Sequence, residues 1–379
     1  MLGMSSSFGA GDGKELRMHT MIGRVGVVVG VLTAAASGQW TVTNLHVPGA
    51  SNSRADSVSG NQQSGYVWNS GNDERASLWT GSAGSWVNLN PLGSTRSRAF
   101  SANDGRQYGV AVIDGITRAG LWSGSAASWV DLSPADAIDS AIYAAEGGQQ
   151  VGAATIGGLT RAGMWSGTSE SWVDLSLPGG PSYSFAYGVD DGQQVGFGYV
   201  PGGQKHAILW SGSAASWVDL NPAGSNGSEA NGVDGGRQVG FVTMGGKSLA
   251  SLWSGTASSW VNLNPIGSTA SIAYGISANE QVGYVDVPGG GVSRASLWSG
   301  SAASWVDLSA FLPIGYSSSV AKSIWTHGGV TYVAGYAENR ATLRDEAFLW
   351  TRAVPEPASA VMLLLGGLAM VITRARTRK

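Results

Sequence analysis

Hydrophobic positions in this chain come in short clusters that repeat, and polar turn residues fill the intervals. Between residues 39 and 352 a Leu-Trp or Met-Trp pair recurs at Leu78-Trp79, Leu121-Trp122, Met164-Trp165, Leu209-Trp210, Leu252-Trp253, Leu297-Trp298 and Leu349-Trp350. A second tryptophan, usually followed by Val-Asp-Leu or Val-Asn-Leu, comes seven residues after each of the first six, at Trp86, Trp129, Trp172, Trp217, Trp260 and Trp305. A Gly-x-Gln-Val-Gly type segment forms a third landmark, with its last glycine at Gly65, Gly109, Gly152, Gly196, Gly240, Gly283 and Gly335. These glycines are 44, 43, 44, 44, 43 and 52 residues apart. Trp40 aligns as the second tryptophan of a missing opening, so seven units run from Trp40 to Trp350.

Each unit offers four short strands: Trp-Val-Asp-Leu, then a segment such as 185–189, then 194–197, then 207–210. Turn residues such as Asp190-Asp191-Gly192 and Asp104-Gly105 join the second to the third, because Asp and Gly tolerate positive φ. Four strands in about 44 residues make one blade, and the pattern predicts an all-β, seven-bladed β-propeller. The six-residue loop Ser211–Ser216 sets Trp210 opposite Trp217 at a hairpin mouth, which reads as a structural clasp rather than a ligand platform. With that hairpin inside a blade, the first strand must complete the last blade, which places Trp40 beside Trp350 and leaves no free edge.

The ends read differently. Arg24, the apolar stretch from Val25 to Ala35 and the small residues to Gly38 form a signal peptide over residues 1–38, with Met18 or Met21 as alternative starts. At the other end Pro355, Glu356 and Pro357 precede an apolar run from Ala358 to Ile372 and the basic stop Arg374, Arg376, Arg378 and Lys379. This segment, 353–379, resembles the PEP-CTERM sorting signal. The resemblance implies export, a single transmembrane sorting helix that anchors the chain transiently in the inner membrane, and processing near the Pro-Glu-Pro motif by an exosortase. It also implies a bacterium that makes exopolysaccharide. The body, 39–352, resembles the extracellular HAF repeat through His206-Ala207-Ile208-Leu209-Trp210 and Glu346-Ala347-Phe348-Leu349-Trp350. That family implies export and repetition, not a reaction.

Composition narrows the chemistry. The 379 residues include 58 Gly, 16 Trp and no Cys, so disulfides, thiolate metal sites and cysteine nucleophiles are excluded together. Residues 39–354 carry 15 Lys and Arg against 22 Asp and Glu, a net of −7 that argues against nucleic acid as a partner. His46, His206 and His327 fall at non-equivalent positions without metal-ligand spacing. Asp131, Asp174, Asp219 and Asp307 recur at one position, with Asn88 and Asn262 in two other units, as a turn cap would. Calcium at Asp190-Asp191 or Asp73-Glu74 lacks the loop pattern of a calcium site.

These features predict an exported, non-enzymatic binding or structural module of the cell envelope or exopolysaccharide matrix, with no catalytic residue, no cofactor and a site in irregular loops such as 134–140 and 222–229. A polysaccharide hydrolase or lyase using Glu146, Glu170 or Glu229 is the alternative, and an ice-binding protein a lower one.

Overall fold

The computed structural model describes residues 38–69, 73–177, 183–289 and 291–354. They form seven four-stranded antiparallel sheets, each the blade of a β-propeller. Blade 4 is typical: an inner strand Ser184–Asp190, then Gln193–Tyr199, Lys205–Trp210 and a two-residue outer strand Val218–Asp219. The turn between the first two strands has Asp191 at φ 43° and Gly192 at φ 75°, the left-handed pair that a two-residue hairpin requires.

Blade 7 is shared between the ends of the described chain. Its inner three strands are Tyr316–His327, Val330–Asn339 and Arg344–Ala353, and its outer strand is Thr41–Asn44. Trp40 and Trp350 lie in one apolar cluster, as closure requires. The alignment of Trp40 with the second tryptophans is corrected, however. Val42 faces Trp350, Thr43 faces Leu349 and Asn44 faces Phe348, whereas in blade 4 Val218 faces Leu209 and Asp219 faces Ile208. Asn44 therefore stands where Asp219 does, and the ring of Trp40 packs instead against the Arg352 guanidinium, 4.8 Å away. No hairpin loop links these two strands, so the register is set by backbone pairing with side-chain bonds such as that from Asn44 to Glu346.

The repeated residues hold neighbouring blades together. The first tryptophan of every unit is fully buried; Trp210, for example, packs among Leu175, Ala186 and Val189 of the preceding and same blades. The leucine of Val-Asp-Leu is equally buried at Leu45, Leu89, Leu132, Leu175, Leu220, Leu263 and Leu308, and full burial of each contributes about 1.5–3 kcal/mol. One buried serine per inner strand accepts a hydrogen bond from an alanine N–H of the preceding blade, as Ser228 does from Ala207 at 2.9 Å and Ser53 from Ala347 at 2.9 Å across the closure. The second tryptophans are half-buried covers. Trp260 donates its indole N–H to Ser251 Oγ at 2.8 Å, while Trp172 lies where a Cβ on Gly163 would need to be.

The buried glutamine of the third landmark clasps the hairpin loop. Gln194 accepts from the Gly212 N–H at 2.8 Å and donates to the Gly192 carbonyl at 2.8 Å, so both ends of its amide are satisfied.

The signal peptide and the transmembrane sorting helix are not part of this fold. Among the described residues no helix is long and apolar enough to cross a membrane, and the helical segments there are single 3-10 turns. Gly, Ser and Asp turns interrupt every apolar run of the body too soon for one. Residues 1–37 and 355–379, on which those expectations fall, lie outside the described residues, as does the motif Pro355-Glu356-Pro357 with its basic stop.

Candidate functional site

Every inner strand carries a β-bulge at the same place. In blade 4, Ala186 pairs with Gly196 and Gly188 with Val195, which leaves Tyr187 without a partner. The bulge brings the two backbones so close that the glycine is obligatory: a Cβ on Gly196 would meet the Phe185 carbonyl oxygen at 1.9 Å, and Gly65, Gly109, Gly152, Gly240, Gly283 and Gly335 are crowded in the same way. A bulged residue is re-aimed relative to its neighbours. The seven bulged residues are Asp56, Phe100, Tyr143, Tyr187, Asn231, Tyr274 and Lys322, one from each blade in order.

All seven line one central cavity of about 930 Å³. The repeat thus supplies a uniform frame, and a position it leaves free faces the axis. Aromatic rings cover much of the wall. Tyr143 lies edge-on to Tyr187 at 5.1 Å between centroids, and Phe185, behind Tyr187, stacks on Phe197 at 5.3 Å. Burial pushes the Tyr66 and Tyr143 phenols up to about 12 and raises those of Tyr187 and Tyr274, so all stay protonated donors at neutral pH.

Away from the turn end, most of the wall's charges are already paired. Arg54 donates to Asp345 at 2.9 and 2.5 Å and lies over the Tyr336 ring at 4.2 Å. Arg98 pairs with Glu74 at 2.8 Å and covers Tyr66 at 4.7 Å, while Lys205 pairs with Glu229 at 2.8 Å. Asp56 and Lys322 are the exception. They hold the same bulge position in adjacent blades 1 and 7, yet neither makes a hydrogen bond or an ion pair among the described residues; the Lys322 ammonium rests 3.7 Å from the Tyr274 ring centroid. Burial raises the Asp56 carboxyl pKa, with Lys322 opposing, and lowers that of Lys322, with Asp56 opposing. Each disfavours its own charge and supports the other's.

At the turn end of the cavity stand Asp104, Glu146, Asp190 and Asp234. Burial, then the charges of Asp190, Asp104 and Asp234, raise the Glu146 pKa; burial and Asp190 raise that of Asp234. Two of these acids also tie turns together, Asp190 accepting from Gly235 N at 2.9 Å and Asp234 from Ala278 N at 3.1 Å.

Asp131, Asp174, Asp219 and Asp307 each accept from the backbone N–H two residues on, at 2.7–2.9 Å, as do Asn88 and Asn262 at 2.8 Å. They are turn caps. His206 bonds Asp219 at 2.8 Å, His46 bonds Ser53 at 2.8 Å and His327 stacks on Trp325, so the three histidines serve separate local contacts. Asp73 is paired with Arg75 and Glu74 with Arg98, while Asp190-Asp191 forms a turn. Among the described residues no group of three or more His, Asp or Glu could hold a metal ion.

The irregular loops 134–140 and 222–229 lie mostly outside this cavity. Both lead into the starts of inner strands, and only Glu229 among them reaches the cavity. Of the three candidate acids Glu146 and Glu229 line it, whereas Glu170 lies in the 3-10 turn Ser169–Ser171 of an outer hairpin loop. The bulged residues were detectable in the aligned repeats as the variable column in Arg-Ala-Asp-Ser, Arg-Ala-Phe-Ser, Phe-Ala-Tyr-Gly, Glu-Ala-Asn-Gly and Val-Ala-Lys-Ser.

No protein-family model matches the sequence, and no curated protein matches it. Solved structures share the fold. The β-propeller domain of the Trilobed protease from Pyrococcus furiosus aligns at TM-score 0.54 and 10% identity, covering 81% of this chain and 98% of that one. A Mycobacterium tuberculosis puromycin-hydrolyzing peptidase aligns at 0.53 and 12% identity over 82% of this chain and 54% of its own. The Pyrococcus horikoshii acylaminoacyl peptidase aligns at 0.51 and 10% identity over 83% and 54%. This chain thus spans about half the length of those two peptidases. At such identities the likeness establishes the propeller scaffold alone.

Proposed function

We propose that the chain is a non-catalytic binding module that takes a glycan in its central cavity. In this reading it is displayed in the cell envelope or the exopolysaccharide matrix, and an exosortase-type enzyme acting at Pro355-Glu356-Pro357 sorts it there. One observation carries the binding reading: in a chain built of repeats, the residues at one variable repeat position, Asp56, Phe100, Tyr143, Tyr187, Asn231, Tyr274 and Lys322, converge on a single cavity. Aromatic faces beside a few convergent polar groups are the usual makeup of a small-ligand pocket. They suit a sugar, whose ring has apolar C–H faces and hydroxyl edges. The hydrolase or lyase alternative draws less support, because Glu229 is engaged by Lys205 and Glu146 by Asn103.

The test is an array of bacterial and neutral polysaccharides probed with the purified protein, with product analysis of every hit. Saturable binding without released oligosaccharide is the expected result. Released product would overturn the non-catalytic reading, and no binding to any glycan would overturn the ligand class.

A further inference from the structure

We propose that the cavity selects an uncharged sugar unit, with Asp56 and Lys322 reading its hydroxyls as a pair and the carboxylates at the turn end excluding polyanionic chains. This rests on the glycan-binding reading above and narrows it.

Three observations converge. Asp345, Glu74 and Lys205 already satisfy Arg54, Arg98 and Glu229, so away from the turn end the lining charges without an ion-pair partner among the described residues are one carboxylate and one ammonium. Their chemistry is complementary to a hydroxyl: the carboxylate only accepts, the ammonium only donates, and a sugar hydroxyl does both. A pair of adjacent hydroxyls is complementary to Asp56 and Lys322, which line the same cavity and form no ion pair with each other. A carboxylated sugar would satisfy Lys322 but set its charge against Asp56.

The second observation is the wall. Tyr143 and Tyr187 present rings and phenol hydrogens across the cavity from blades 1 and 7, so a pyranose held at Asp56 and Lys322 meets aromatic surface on its far side. The third is the turn end, where Asp104, Glu146, Asp190 and Asp234 line one stretch of the wall; burial first, and then their charges on one another, raises Glu146 and Asp234. Charges that repel one another also repel an incoming polyanion.

The experiment is calorimetric titration of the full-length protein with cellotriose, laminaritriose and mannotriose as neutral probes and trigalacturonate as the charged one. The expected result is that at least one neutral probe binds and trigalacturonate does not. Asp56→Asn and Lys322→Met each weaken the neutral probe about tenfold or more, the worth of a hydrogen bond to a charged group. In Glu146→Gln/Asp234→Asn trigalacturonate binding appears, and a cooperative thermal unfolding transition shows that this variant has folded. Tighter binding of trigalacturonate by the parent would overturn the inference and leave glycan binding standing. So would parental neutral affinity in both single variants. Failure of all four probes, with the polysaccharide array also blank, would sink the glycan reading itself.

Discussion

Gly196 lies so close to Phe185 that a Cβ on it would sit 1.9 Å from the Phe185 carbonyl oxygen. The contact is the price of a bulge that frees Tyr187 to face the axis. A backbone oxygen cannot swing away as a side chain can, so Gly196→Ala is expected to cost about 3 kcal/mol, the upper end of overpacking. Gly84→Ala is the control: it has open space around it, and alanine fills the equivalent position at Ala215. Urea unfolding midpoints compare the two, and equal midpoints would mean the bulge does not need its glycine.

That example also marks what the sequence could and could not disclose. Blade number was legible because Trp210, Gln194 and Gly196 each do the same job in successive blades, so their spacing is the blade itself. The cavity was less so: the aligned repeats mark the bulge column as variable, but a column that runs from Asp56 and Phe100 through three tyrosines and Asn231 to Lys322 does not say that its side chains meet at the axis. The reading of Trp40 was misled by residue type. Asn44-Leu45 was the truer marker: Leu45 donates its N–H to Ala347 at 2.8 Å as Leu220 does to Ala207 at 2.9 Å.

Ser228→Ala and Ser53→Ala test the bonds between blades. Each removes the only acceptor shown for a buried alanine N–H, of Ala207 and Ala347 respectively. Each should cost about 1–3 kcal/mol, the penalty of an unsatisfied buried donor. Ser53 sits at the closure, so its variant should speed amide exchange in Thr41–Asn44 as well, whereas Ser228→Ala should leave that strand protected. Mass-spectrometric hydrogen exchange distinguishes the two.

Asp56 and Lys322 should titrate as a coupled pair. Burial raises the Asp56 carboxyl and Lys322 restrains the rise, so in Lys322→Met the Asp56 pKa should move further up, as read by carboxyl NMR shifts. For a raised acid, stability is fully present below the unfolded value of 3.8 and declines as pH rises through the folded value. The Lys322→Met protein should therefore lose more stability than the parent on going from acid to neutral pH. Adding Asp56→Asn should recover part of that loss, because an uncompensated buried charge is then removed. Additive effects in the double variant would mean that the two groups do not interact.

The closure blade should be the first part of the ring to yield to acid. Glu346 accepts from Tyr316 at 2.5 Å, from Asn44 at 2.7 Å and from Asn339 at 2.8 Å, and so bridges the outer strand to the rest of its blade. Burial works to raise its pKa, but these bonds and His46 outweigh it and hold the carboxyl below its usual 4.5. Its contribution is therefore present above pH 4.5 and lost as pH falls through the depressed value. His46, beside it, is held below 6.5 chiefly by burial. A depressed base has the same sign, so its share is present above 6.5 and fades as pH falls through its lowered value. Thermal midpoints at about pH 8, 5 and 3 should fall in two steps, the first from His46 and the second from Glu346. Glu346→Gln should cost about 2 kcal/mol at neutral pH, the worth of hydrogen bonds to a charged group, should flatten the second step and, because the Glu346 charge raises the His46 pKa, should move the first step to lower pH. An unchanged acid profile in that variant would place the acid-labile contact in another blade.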